Sequence, residues 1–175
     1  MKADRKLRLL VICLGNICRS PMAEGALRAR LEAAGLGDRV EVDSAGLGNW
    51  HAGDAPDRRA IKCAAGHGVD ISGLRGRQLV DADYTGFDVL LCADADVLYT
   101  VRAHAPPGAT AQSELLLAWS GLGEKAQIPD PYTQNAAAFE HAWELVDAAA
   151  AAIVDRLAAD AVTGTDAVAS PPTTD

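Results

Sequence analysis

Between Cys13 and Pro21 the chain reads CLGNICRSP, and this stretch holds the residues best suited to chemistry. Cys13 offers a nucleophilic sulfur, and Arg19 offers a guanidinium fork that can grip phosphate or carboxylate through two parallel hydrogen bonds. Gly15 allows backbone angles closed to other residues, and Asn16 tolerates the left-handed region. Successive amides of Leu14, Gly15, Asn16, Ile17, Cys18 and Arg19 can therefore converge into a nest for a tetrahedral dianion such as phosphate. An ordinary thiol has a pKa of about 8.5, but a helix N-terminus, converging amides and a guanidinium all favour the thiolate. Ser20 can add its hydroxyl to the sulfur. The run predicts an activated nucleophile aimed at an anion held by its own loop. Cys-x5-Arg spacing arises often by chance; the specific signal is the whole run standing between a strand and a helix.

That loop needs a scaffold on either side. Ahead of it, Leu7 to Ile12 reads LRLLVI, the nearly continuous apolar run of a central parallel strand covered on both faces. Behind it, Ser20 suits an N-cap and Pro21 the first helical position, and MAEGALRARLEAAG carries helix formers up to a terminating Gly35. The alternation continues. RVEVDSAG reads as a strand, APDRRAIKCAAGHG as a helix, FDVLLCAD as a strand and ADVLYTVRAH as a helix. SELLLAW then reads as a fourth short strand, and NAAAFEHAWELVDAAAAAIVDRLAAD as a long final helix with Phe139, Trp143, Val146, Ile153 and Leu157 on its apolar side. Strands alternating with helices imply right-handed crossovers and a flavodoxin-like, doubly wound α/β fold: a four-stranded parallel sheet with helices on both faces. Residues 1–160 read as one domain. Residues 161–175, poor in large apolar groups, read as a disordered tail that cannot offset its ordering entropy.

Composition narrows the partners. The chain has 175 residues with a formal net charge of -8, which argues against a broad nucleic-acid surface while permitting one local cationic pocket. No signal peptide and no apolar run of membrane-spanning length are visible, so no membrane partner is expected. The 4 cysteines are too few and too scattered for a disulfide scaffold, which fits a reducing cytoplasm. Cys63 and Cys92 read as core residues, and His51, His67, His104 and His141 show no ligand spacing, so no metal and no cofactor are expected. A monomer is the expected state.

A second stretch, IPDPYTQN, puts Asp130 between two prolines in a polar loop before the last helix. It can serve as an acid for a departing phenolic oxygen, whose conjugate acid has a pKa of about 10; Asp beside Pro is equally common turn chemistry. Trp50 in GLGNWHAG and Tyr132 beside Asp130 can wall a slot or simply anchor their loops.

Taken in order, CLGNICRSP, SAGLGNW and DPY resemble the low-molecular-weight protein tyrosine phosphatases, with the resemblance spanning roughly Leu7 to Leu157. The resemblance implies hydrolysis of phosphotyrosine through a phosphocysteine intermediate, with tyrosine-phosphorylated proteins or peptides as partners. It implies Cys13 as nucleophile, Arg19 and the Leu14–Arg19 amides as phosphate ligands, and Asp130 as general acid and then general base. Ser20 and Ser44 support the loop, Trp50 and Tyr132 flank the substrate ring, and Cys18 can pair with the nucleophile against irreversible oxidation. Read alone, Cys18 is also a small buried hydrophobe. Two departures stand out. Family members commonly have a histidine ahead of the Arg-x-Arg-Gln stretch that helps hold the loop asparagine; Leu74 stands there, which implies a looser network around Asn16, Ser20 and Ser44. Thr133 replaces a second aromatic after Asp-Pro-Tyr, which implies a pocket more open on one side.

Two related activities are alternatives. Relatives that dephosphorylate arginine tend to carry threonine just before the second loop cysteine, where Ile17 presents an apolar wall better suited to a phenyl ring. Thiol-dependent arsenate reductases of the same fold need a relay of two further closely spaced cysteines, which Cys63 and Cys92 do not supply.

Overall fold

The structure, a computed structural model, describes residues 5–163. Leu9, Leu10, Val11 and Ile12 are almost completely buried, as expected of a strand with neighbours on both edges and helices on both faces. This strand, β1 (Leu7–Cys13), pairs in parallel with β2 (Val40–Gly46) on one side and β3 (Val89–Cys92) on the other, and β3 pairs in parallel with β4 (Gln112–Leu115). The order is β2-β1-β3-β4. The connection after β1 runs to β2 on one side and the connection after β3 runs to β4 on the other, so the carboxyl ends of β1 and β3 form the switch point where open α/β sheets bind ligands.

The pleat sorts the core into two layers. Leu9 and Val11 of β1, with Val89 and Leu91 of β3, face α1 (Arg19–Ala33), α2 (Arg58–Gly66) and the long last helix. Leu10 and Ile12, with Leu90 and Cys92, face the opposite layer. There a short helix, α3 (Asp83–Gly86), brings Tyr84, and α4 (Ala95–Ala103) brings Val97 and Val101.

Helix α1 stops where its glycine predicts. Gly35 takes a φ of 73°, and the amides of Leu36 and Gly35 donate to the carbonyls of Leu31 (2.8 Å) and Glu32 (3.0 Å), satisfying the helix's last acceptors. Its start differs from expectation: the helix begins at Arg19, Cys18 is the N-cap, and Ser20 lies inside the first turn without capping it. SELLLAW also divides. The strand ends at Leu115, and Leu116–Trp119 form a short helix, α5, because a continuous apolar run buries equally well in either form. The final helix, α6 (Ala136–Thr163), runs past the expected boundary at residue 160; residues 164–175 of the expected tail lie outside the described residues.

Ile153 is fully buried where α6 meets the sheet-facing core. Ile153→Ala is expected to lower unfolding free energy by about 2–5 kcal/mol in urea titrations with little change in slope.

Candidate active site

The chain leaves β1 at Cys13 and must turn into α1 by Arg19. Asn16 makes that turn: its φ of 58° is the sole left-handed value at a non-glycine position among the described residues. Gly15, expected to be the conformationally special residue, does not adopt a positive φ. It is small for another reason, since a Cβ there would sit 3.3 Å from the His51 ring. Gly46, at the end of β2, supports the same loop by close approach. A Cβ on Gly46 would meet the Gly15 carbonyl carbon at 3.0 Å and the Asn16 amide nitrogen at 3.1 Å.

The Asn16 side chain holds its own backbone in place. Its Nδ2 donates to Ser20 Oγ (2.8 Å) and Ser44 Oγ (2.9 Å), and its Oδ1 accepts from the Arg77 amide (3.0 Å). Ser44 in turn donates to Glu24 Oε1 at 2.6 Å, and Glu24 pairs with Arg28 at 2.9 Å. Where the resemblance implies a histidine, the Asn16 amide takes other partners. The Arg77 main chain and the serine pair bond its amide, while Leu74 packs against the core. Glu24 was not anticipated from sequence, where it reads as a solvated helix residue; only its burial at 2% exposure distinguishes it.

Cys13 Sγ lies 3.0 Å from Ser20 Oγ. Because that oxygen already accepts the Asn16 proton, the hydroxyl's own proton is free to point at the sulfur. The main-chain amides from Gly15 to Arg19 donate to no main-chain acceptor among the described residues, the condition in which a helix N-terminus can take an anion. Cys18 lies in the same loop as a free thiol. Burial, then the charges of Asp57, Cys13 and Asp130, pushes its pKa well above the ordinary thiol range, so it stays protonated.

Arg19 is 3% exposed yet charged, which demands partners. Its Nη1 donates to Asp94 Oδ2 (2.6 Å) and to the Ile128 carbonyl (2.9 Å), while Nη2 lies 3.6 Å from Asp130 Oδ2. Burial opposes its charge, but the Cys13 sulfur, the Asp94 hydrogen bond and the Asp130 and Asp94 charges outweigh burial and raise its pKa. Asp94 is the second residue missed by sequence. Its Oδ1 caps α4 by accepting from the Val97 amide (2.8 Å), leaving Oδ2 for Arg19. An Asp following a strand and opening a helix was the available signal.

Asp130 reaches the same place from the loop before α6. Its Oδ1 accepts from the Tyr132 amide (3.1 Å), so the turn role weighed from sequence is present, and the other oxygen faces Arg19. Cys13, Leu14, Gly15, Ile17, Cys18, Arg19, Trp50, His51, Asp130 and Tyr132 line one cavity of about 280 Å³. Trp50, Tyr132 and Leu14 stand exposed at its rim. The Trp50 ring occupies the space beside Gly48, where a Cβ would approach it to 2.2 Å. Tyr132 is braced by Arg59, which donates to its carbonyl (2.8 Å) and lies 5.8 Å from its ring centre. Of the expected site residues, Asn16 and Ser44 lie behind this cavity and Ser20 beneath its sulfur, joined through their hydrogen bonds.

The Glu24 carboxyl is shifted up by burial, with the Ser44 hydrogen bond and Arg28 opposing. Above the ordinary glutamate value of about 4.5 the unfolded chain releases this proton while the folded protein still holds it, so folding stability from this group falls as pH rises. Glu24→Gln removes the titration and keeps an acceptor for Ser44. Its stability relative to wild type is therefore expected to improve steadily as pH is raised from about 4.5. Parallel stability–pH profiles in denaturant would show that Glu24 titrates normally.

Residues 8–163 match the family model described as low molecular weight phosphotyrosine protein phosphatase. The chain is 42% identical over 153 residues to low molecular weight phosphotyrosine protein phosphatase 1 of Drosophila melanogaster, covering 86% of this chain and 97% of that one. It superposes on the crystal structure of the low molecular weight protein-tyrosine-phosphatase YfkJ of Bacillus subtilis with a TM-score of 0.80 at 30% identity, covering 92% and 98% of the two chains. It likewise matches Wzb of Vibrio vulnificus in complex with benzylphosphonate, with a TM-score of 0.75 at 32% identity over 87% and 99%. With cysteine, arginine and aspartate converging on one cavity at the switch point of a sheet this family shares, the chain belongs to the low molecular weight phosphotyrosine protein phosphatases.

Proposed function

We propose that the protein hydrolyses phosphotyrosine in proteins or peptides in two steps through a phosphocysteine at Cys13. What supports this most is the convergence of a hydroxyl-bonded thiol, open loop amides, a fixed guanidinium and a carboxylate on one cavity with an aromatic rim.

The phosphate sits in the nest of the Leu14, Gly15, Asn16, Ile17, Cys18 and Arg19 amides. Arg19, held by Asp94 on one nitrogen, turns the other to the equatorial oxygens. The Cys13 thiolate attacks phosphorus in line as Asp130 protonates the phenolic oxygen, and Ser20 stabilises the sulfur's charge. Asp130, now a carboxylate, draws the proton from a water that attacks the phosphocysteine, and phosphate leaves. The protein's contribution is positioning and charge stabilisation around a loose phosphoryl group. Ile17, Trp50 and Tyr132 give the ring apolar walls, which favours a phenyl group over a guanidinium and discourages the shorter phosphoserine. Cys18, on the wall of the same cavity, is the candidate partner for a protective disulfide with Cys13.

Cys13→Ser is expected to abolish phosphate release from phosphotyrosine peptides. Asp130→Ala should lower turnover by about 10²–10⁴, with the loss shrinking for aryl phosphates whose leaving phenol is more acidic. Preference for phosphoarginine, or activity that survives Cys13→Ser, would overturn the reading.

A further inference from the structure

Away from the active-site cavity, two helices bring a second set of reactive atoms together. Cys63 and His67 are four residues apart, the first within α2 and the second its C-cap, so they lie on one face. Glu140 reaches them from the start of α6. Cys63 Sγ donates to Glu140 Oε1 at 3.4 Å, and His67 Nε2 lies 2.7 Å from Glu140 Oε2. One ligand atom from each of the three lies within 4.8 Å of the others. None of the three lines the cavity around Cys13.

Metal geometry matches this spacing. Around a tetrahedral zinc ion, bonds of about 2.3 Å to sulfur and about 2.0–2.1 Å to nitrogen or oxygen set sulfur and oxygen about 3.5 Å apart and nitrogen and oxygen about 3.3 Å apart. Cys63 Sγ already stands at that separation from Glu140 Oε1, while His67 Nε2 lies 2.7 Å from the other oxygen, Oε2, so the carboxylate must turn to offer one oxygen to an ion shared with both. The carboxylate is half exposed and free to make that adjustment, and the imidazole is exposed enough for a hydrated ion to reach it. Trp143 stacks on the imidazole, 5.1 Å between ring centres and 12° between planes, which fixes the orientation of the ring. Thiolate with imidazole and carboxylate suits zinc-class ions and not magnesium or calcium, which take oxygen ligands.

We propose that Cys63, His67 and Glu140 form a surface site for a zinc-class divalent cation that clamps α2 to α6, with water in the fourth position. On binding, the six-coordinate aqua ion releases five of its waters and keeps one, Cys63 yields its thiol proton to solvent as the sulfur–metal bond forms, and neutral His67 and the Glu140 carboxylate complete the set. No electron is transferred. In the sequence Cys63 reads as core and His67 shows no ligand spacing, because the third member, Glu140, arrives only through the packing of the last helix.

Cobalt(II) titration of the Cys13→Ser/Cys18→Ser protein tests the site without interference from the loop thiols. One equivalent is expected to bind with a thiolate-to-cobalt charge-transfer band and the intense visible absorption of a four-coordinate ion, and zinc should displace it. Cys63→Ala should eliminate the charge-transfer band, and His67→Gln and Glu140→Gln should each weaken binding at least about tenfold, with circular dichroism reporting that each variant is folded. If Cys63→Ala does not fold, the two surface variants decide the matter by their affinities. No charge-transfer band at saturating cobalt, a band that survives Cys63→Ala, or unchanged affinity in both surface variants would overturn the proposal.

Discussion

The site depends on one residue held where side chains rarely go. Asn16 sits in the left-handed region, and its amide is bonded on both ends to keep it there, by Ser20 and Ser44 on one side and the Arg77 main chain on the other. A residue in this region is strained unless its surroundings over-determine it. Here they do, and the result is a loop whose amides from Gly15 to Arg19 donate to no main-chain acceptor among the described residues. The same hydrogen bonds set the Ser20 hydroxyl under the Cys13 sulfur, so the shape of the loop and the environment of the thiol are two consequences of one constraint.

The second ingredient is a cation buried in a chain of net charge -8. Arg19 keeps its charge at 3% exposure because Asp94 and the Ile128 carbonyl take one nitrogen and Asp130 stands near the other. Net charge and local field are thus separate matters: the chain as a whole is acidic, while one cavity wall carries a buried guanidinium. Asp94 works in two directions at once, capping α4 and orienting Arg19, which ties the carboxyl end of β3 to the loop that follows β1. That tie crosses the sheet's switch point.

Much of this was legible in the sequence because it is local. The run from β1 through the cradle to α1 carries its own punctuation, and alternating strands and helices imply the parallel sheet. The errors also have local causes. Ser20 looks like a cap by type and position, yet it is inside the helix with its hydroxyl drawn to Asn16 and Cys13. Gly15 does not use the freedom expected of it, whereas Asn16 does take the left-handed angles its type tolerates. SELLLAW has no period that separates strand from helix, and the structure uses both. What could not be read were partners distant in sequence: Glu24 behind Ser44, Asp94 behind Arg19, and Glu140 against Cys63 and His67. Each is an ordinary acidic residue until the fold brings its counterpart to it.

The claim on which the functional reading rests is that phosphorus passes through the Cys13 sulfur. The direct measurement is rapid acid quench of the enzyme turning over an aryl phosphate, followed by mass spectrometry of the peptide carrying Cys13. In Asp130→Ala, given an aryl phosphate whose acidic phenol leaves without help, the first step is spared while the second lacks its base, and the intermediate should accumulate. A phosphoryl group on Cys13, absent when Cys13 is replaced by serine, is the expected result. Turnover with no covalent phosphate at any time, or phosphate on Cys18 or a histidine instead, would contradict it.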